Sequence, residues 1–469
     1  HAEGIAAFAE LHALPVWQAD ERRRIYQEKI EGNTSVKALR DQLDLWCALW
    51  FWPANKLGNA PLAGSLARPS PEALEIARAI ARKEHFFHWE IEFPDVFTGT
   101  ADGRLSGFDA ILGNPPWDVW KPSSKEFFSN IDPLYRSYGK TQALAKQKEY
   151  FASGATRELE WDYYRDHFKA ISNWTGLIHN PFGDPKASKE GKVTLKKGER
   201  GEFLHEVWRS ARDRAVGYAD PAPLFARQGG GDVNSYKLFV EQIFLHLRSG
   251  GRIGNITPGG IYADNGSSEL RKMLLERGQW DWLFGFENRD KIFDIDSRFK
   301  FCAFVASKGG STKAVRVSFM NRKVEAWDAG IGDTMTVSQV NAFSPKSGAF
   351  LEIHGKRDLE ILEKIYGNPN VVLLGDESER GWGIKYGSEY HMTNDAKLFP
   401  AIAKWEEKGY RGDEYGHWLK GDWQPYVGSD TSLSKPSDPA KRSAGTVLSQ
   451  DRAFILNLDT LENVALPLY

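Results

Sequence analysis

Asn114-Pro115-Pro116-Trp117 is the stretch whose residue types and spacing could do chemistry. An amine on an aromatic ring is a poor nucleophile, because its lone pair is delocalised into the ring. Two acceptors aimed at its N–H groups favour the pyramidal nitrogen and return density to the lone pair. The Asn114 side-chain oxygen is one candidate acceptor and the Pro115 carbonyl is the other. Consecutive prolines fix φ and restrict the residue before them, so both oxygens are held in place beforehand. Trp117 offers a flat apolar face on which a planar base can stack. A Pro-Pro turn leaving a strand, with Trp117 in the core, would use the same letters.

The elements that position this tetrapeptide are legible on both sides. Phe108, Ala110, Ile111 and Leu112 form a short apolar run that predicts a buried parallel strand, ended by Gly113. In open α/β sheets ligands bind where the chain leaves a strand's carboxyl end. Downstream, Tyr236, Phe239, Val240, Ile243, Phe244 and Leu247 share one face of a helix expected over 235–248, which Gly250-Gly251 ends. A strand over 252–257, a helix over 267–277 and strands over 280–287 and 299–306 follow. That alternation is the second half of a doubly wound α/β domain. Upstream, residues 1–60 read as helical, and Val36, Leu39, Leu43, Trp46 and Trp50 lie at helical spacing before Pro53. Ser70-Pro71-Glu72 is a helix start, with Ser as N-cap and Pro at the first helical position. Beyond 311, alternating runs at 314–319 and 334–340 predict strands, and an amphipathic helix is expected over 356–366. Residues 370–469 show little regular periodicity.

Length and composition bound the function. A chain of 469 residues has room for several domains and a large core. A net charge of −2 excludes a globally basic nucleic-acid binder, so DNA contacts must come from local clusters. One such cluster is Lys186, Lys189, Lys192, Lys196, Lys197 and Arg200, set against only Glu190 and Glu199. Beside a base-binding site it would contact phosphates; an ordinary solvated loop reads the same way. Cys47 and Cys302 sit in apolar surroundings and read as core residues, which with the lack of a signal peptide points to the cytoplasm. No run of about 18 apolar residues suggests a membrane span. The histidines lack metal-ligand spacing, and no metal site is expected. The chain opens on His1 and ends at NVALPLY, and is expected to be a portion of something longer.

A strand followed by Asn-Pro-Pro-Trp resembles motif IV of S-adenosylmethionine-dependent amino-methyltransferases. The wider chain resembles the large adenine-N6 DNA methyltransferases of type IIG restriction–modification and of BREX- and DISARM-type phage defence. The phrases that carry this are LWCALWFWP (45–53), HFFHWEIEFPDVF (85–97), DVNSYKLFVEQ (232–242), GFENRDKIFDIDSRFKFCAFV (285–305) and EYHMTNDAKLF (389–399). The resemblance implies an α/β fold: a Rossmann-like methyltransferase sheet seen in part, with a helical N-terminal piece and an α+β C-terminal target-recognition region. The implied domains are a helical region over 1–84, a catalytic core over 85–310 with the basic insertion at 118–231, and the start of a recognition domain over 311–469.

The implied reaction moves a methyl group from S-adenosylmethionine to adenine N6 in double-stranded DNA, with further subunits of a defence complex as possible partners. Asn114, Pro115, Pro116 and Trp117 would form the catalytic bend. Phe293, with Phe299 as the fallback, would stack the flipped base against Trp117. Phe86 and Asn114 would contact the cofactor, although His85 stands where the family places an acid. The family's glycine-rich cofactor turn has no match before residue 108, and is expected on a missing N-terminal portion. Two alternatives stay open: a non-catalytic DNA-binding or scaffolding subunit that keeps the fold, and a protein glutamine N5 methyltransferase, which also uses Asn-Pro-Pro-aromatic.

Overall fold

The computed structural model describes residues 2–97, 107–176, 180–183, 199–214, 225–229, 232–327 and 332–370, with short pieces between 402 and 455. Residues 1–368 form one compact unit and residues 369–469 a second.

Helix formation in the first hundred residues follows local chemistry. The helix Thr34–Phe51 starts at Asn33, whose side chain accepts from the Ser35 and Val36 amides. The helix Pro71–Glu84 starts as expected, with Ser70 Oγ accepting from the Ala73 amide at 3.1 Å. It ends at His85, which adopts the left-handed conformation at φ 54°. These two helices lock together through a bidentate Arg78–Asp41 pair at 2.8 and 2.6 Å. Trp50, Trp52 and Ala77 bury a separate helical core with Phe182 and Leu204 from the insertion.

The site's scaffold is a six-stranded mixed sheet: β1 (Phe108–Gly113), β2 (Leu247–Pro258), β3 (Gly278–Glu287), β4 (Lys300–Lys308), β5 (Ala314–Asn321) and β6 (Asp333–Thr336). Their order is β1-β2-β4-β3-β5-β6. β1 runs parallel to β2 and β3 to β5, while β4 lies antiparallel between β2 and β3. This is the mixed α/β architecture expected. β5 and β6 extend the same sheet past residue 311. The helices Ser235–His246 and Ser268–Glu276 cover one face, closing a core of Val240, Phe244, Leu274, Ile253, Trp280 and Phe304.

Two expectations need correction. β1 is parallel but not buried: among the described strands it lies at the sheet's edge, and Leu112 is 84% exposed. A short apolar run reports that a strand forms, not how many neighbours it has. The run 334–340 is not one strand, because Thr336 and Gln339 form a capping box that starts the helix Val337–Phe343. The insertion carries two helices, Lys140–Ala152 and Ala155–Gly176, separated at Ser153-Gly154. In the second unit the described residues include a short helix, Ile402–Glu407, and a four-stranded antiparallel sheet. The phrase at 389–399 lies outside the described residues. No helix among the described residues is long and apolar enough to cross a membrane.

Burial pushes the thiols of Cys47 and Cys302 up to about 12. Cys302, fully buried, is therefore expected to resist an aromatic disulfide reagent at pH 8 until the protein unfolds, and Cys47, half-buried on a cavity wall, to react slowly. Fast colour release from the folded protein would contradict this packing.

Candidate active site

The bend is fixed from both sides. Upstream, Gly113 pairs with Asn255 in the β1–β2 register. Downstream, the Asp118 carbonyl accepts from the Ser235 amide at 3.0 Å and the Trp120 amide donates to the Val233 carbonyl at 2.7 Å. The Trp120 indole N–H also donates to Ser235 Oγ. Between these staples Asn114 and Pro116 are exposed, Pro115 is buried and Trp117 is half-buried. The amide-bearing residue thus faces solvent at a strand's carboxyl end, and two prolines stiffen the backbone behind it.

Trp117 stands in a nest of phenylalanines. Phe299 lies parallel to it, 7° between planes and 5.6 Å between centroids. Phe293 meets it edge-on at 78° and 5.6 Å, and Phe301 is tilted at 6.0 Å. The sequence favoured Phe293 as the second plate. The structure brings both rings to Trp117, and only Phe299 has the parallel orientation of a sandwich. A base between two plates needs about 7 Å, twice the optimal carbon–carbon spacing of about 3.5 Å. The rings therefore rest on each other and must part before a base enters. Phe299 is 38% exposed, so it has room to move.

Asn288, which sequence reasoning passed over, shapes the loop that carries these rings. It is fully buried. Its Nδ2 donates to the carbonyls of Phe293, Ile295 and Asp296 at 3.0, 3.2 and 3.3 Å, and its Oδ1 accepts from the Phe293 amide at 2.9 Å. A second tie is the Arg298 guanidinium on Asp296, which holds that carboxyl below the usual carboxylate range.

Beside the bend lies a cavity of about 260 Å³, lined by Gly113, Asn114, Pro115 and Pro116 on one side and by Trp89, Gln242 and His246 on another. Burial lowers the pKa of His246, whose Nδ1 lies 2.7 Å from the Gln242 carbonyl. An uncharged imidazole keeps this wall apolar at neutral pH. Behind Gly113 sits Asn255, 2% exposed, with neither Oδ1 nor Nδ2 hydrogen-bonded.

Other expected site residues lie apart or outside. Phe86 packs on Phe51 and lines a neighbouring cavity of about 690 Å³. That cavity shares Gln242 with the one beside Asn114. Lys186, Lys189, Lys192, Lys196 and Lys197 lie outside the described residues. Arg200 is turned onto the protein: its Nε donates to the Leu57 carbonyl at 3.3 Å and its guanidinium lies 4.8 Å from the Phe203 ring.

No protein-family model and no curated protein matches the chain. Several solved structures share limited similarity. The M protein of the type I restriction enzyme EcoKI is 19% identical over 22% of this chain and 22% of its own, at a TM-score of 0.18. A type I restriction-modification methyltransferase subunit from Streptococcus thermophilus is 12% identical over 71% of this chain and 88% of its own, at 0.18. The DNA-bound type ISP restriction-modification enzyme LlaBIII is 11% identical over 54% of this chain and 11% of its own, at 0.19. The chain thus spans less than a quarter of the EcoKI subunit's length. At such TM-scores the likeness bears on neither fold nor activity.

Proposed function

We propose that this protein is a site-specific DNA adenine-N6 methyltransferase that acts on a flipped adenine, as part of a restriction–modification or phage-defence system. The observation that carries the reading is the bend itself. A stiffened Asn-Pro-Pro leaves the carboxyl end of a parallel strand, exposes its amide beside a cavity, and sets Trp117 parallel to an exposed Phe299. Asn114 Oδ1 and the Pro115 carbonyl accept from the two N–H groups of the exocyclic amine. Trp117 and Phe299 or Phe293 replace the stacking the base loses on leaving the helix. That unstacking costs a few kcal/mol, and each ring contributes about 1–3 kcal/mol. No strong general base is needed, because the methylated amine is acidic until its proton leaves.

S-adenosylmethionine supplies the methyl group in such transfers. The described residues do not complete a cradle for it: Gly4, Gly32, Gly58 and Gly64 are isolated, and β1 pairs with β2 alone among the described strands. Its open edge is where a further strand carrying a glycine turn would add.

That incomplete cradle favours the second reading, a DNA-binding scaffold that keeps the fold without transfer. The glutamine methyltransferase reading has only the motif in its favour, against a long insertion over 118–231. Calorimetric titration of the native protein with S-adenosylmethionine separates the first two. Saturable heat is expected; no heat together with no methyl transfer to DNA would establish the scaffold.

A further inference from the structure

The amide of Asn114 can work only one way round. Its oxygen must face the amine, and an asparagine carboxamide rotates its oxygen and nitrogen into each other's places at little cost unless a neighbour tells them apart. A neighbour able to do this lies on the adjacent strand. Asn255 is in register with Gly113, the residue before Asn114. Paired residues of parallel strands project to the same face. Ile111 and Ile253, paired two residues earlier, turn towards the core under the helix Ser235–His246. The carboxamide of Asn255 therefore lies on the side of the 260 Å³ cavity, which Ile111, Gly113 and Asn114 line. Its Oδ1 is 3.4 Å from where a Cβ on Gly113 would stand, and apart from Gly113's own chain neighbours nothing else among the described residues lies within 4 Å of that point. Gly113, which carries no side chain to fill that space, is where the carboxamide meets the start of the bend.

This carboxamide is 2% exposed, and both its polar atoms lack a hydrogen-bond partner. An unsatisfied buried group costs about 1–3 kcal/mol. Groups left in this condition in native proteins call for an explanation, a functional role or an ordered water among them. We infer that Asn255 is a positioning residue: its Oδ1 accepts from Asn114 Nδ2 across Gly113 when the amine enters, which leaves Asn114 Oδ1 turned to the substrate. The inference rests on Asn114 being the amine acceptor.

A carboxylate at position 114 has two equivalent acceptors and needs no such guide. The test is therefore a double-mutant cycle on the native protein, measuring methyl transfer and thermal stability. Asn255→Leu is close to isosteric and removes both unpaired atoms, so the melting temperature should hold or rise. Gly113→Ala has space and no positive φ to strain it, and sets a methyl against Asn255 Oδ1. Each is expected to lower kcat about tenfold with KM little changed, the loss of one hydrogen bond made in the reacting complex. In an Asn114→Asp background, Asn255→Leu should cost nothing further. An equal loss in both backgrounds would overturn the inference. So would a lowered melting temperature with activity intact, which is what a structural water site predicts. A wild-type protein with no methyl transfer would instead overturn the functional reading on which the inference stands.

Discussion

Asn114→Ala is expected to lower methyl transfer on the order of 10²–10³-fold, the range found when one preorganised polar group is removed from a site where charge develops. The loss should fall on kcat. The side chain is exposed, sits at a strand end and caps nothing, so its removal leaves fold and DNA affinity largely unchanged. With only the Pro115 carbonyl left, the amine nitrogen stays conjugated with its ring for most of the approach. The measurement is transfer of labelled methyl groups to DNA, with binding followed separately by fluorescence anisotropy. A variant that methylates as fast as the wild type would remove Asn114 from the chemistry. One that loses DNA binding in parallel would assign it to recognition.

Trp117→Ala should act at the preceding step. Removing one stacking face costs about 1–3 kcal/mol per base, which is roughly 5–150-fold in the fraction of extruded base. Trp117 also packs on Phe293, Phe299 and Phe301, so alanine opens a hole and lowers stability as well. Trp117→Phe separates the two effects. It keeps a ring and removes an indole N–H that is buried without a partner, so the fold should hold and most of the stacking should survive. A fluorescent base analogue at the target position reports extrusion directly. If Trp117→Phe extrudes the analogue no better than Trp117→Ala, the indole is a core residue and not a stacking plate.

What the sequence disclosed depended on how local the determining interaction was. Ser70-Pro71 marked a helix start to the residue, and the apolar spacing over 356–366 matched the helix Lys356–Tyr366. The helix Ser235–His246 ended two residues before the expected position, because Leu247 already belongs to β2. The capping box at Thr336–Gln339 was present in the letters and outweighed the alternation read across it. Sheet order was not legible, since an antiparallel β4 between β2 and β3 depends on long-range packing. The exposure of β1 depends on a neighbour that strand composition does not encode.

At the site, the bend could be read because proline and tryptophan carry their geometry with them. The orientations of Phe293 and Phe299 could not, because they depend on the loop that Asn288 ties through backbone carbonyls. Asn255 left no mark either: a single asparagine in an apolar strand gains meaning only once Gly113 is seen beside it.

The most direct test of the central claim is the nucleoside composition of DNA from cells that make the native protein, in a host without adenine methylation of its own. Digestion and mass spectrometry should find N6-methyladenine in that DNA, and none above background with Asn114→Ala. DNA free of the modified base, or modified equally with and without the Asn114 amide, would contradict the assignment of this bend to an exocyclic amine.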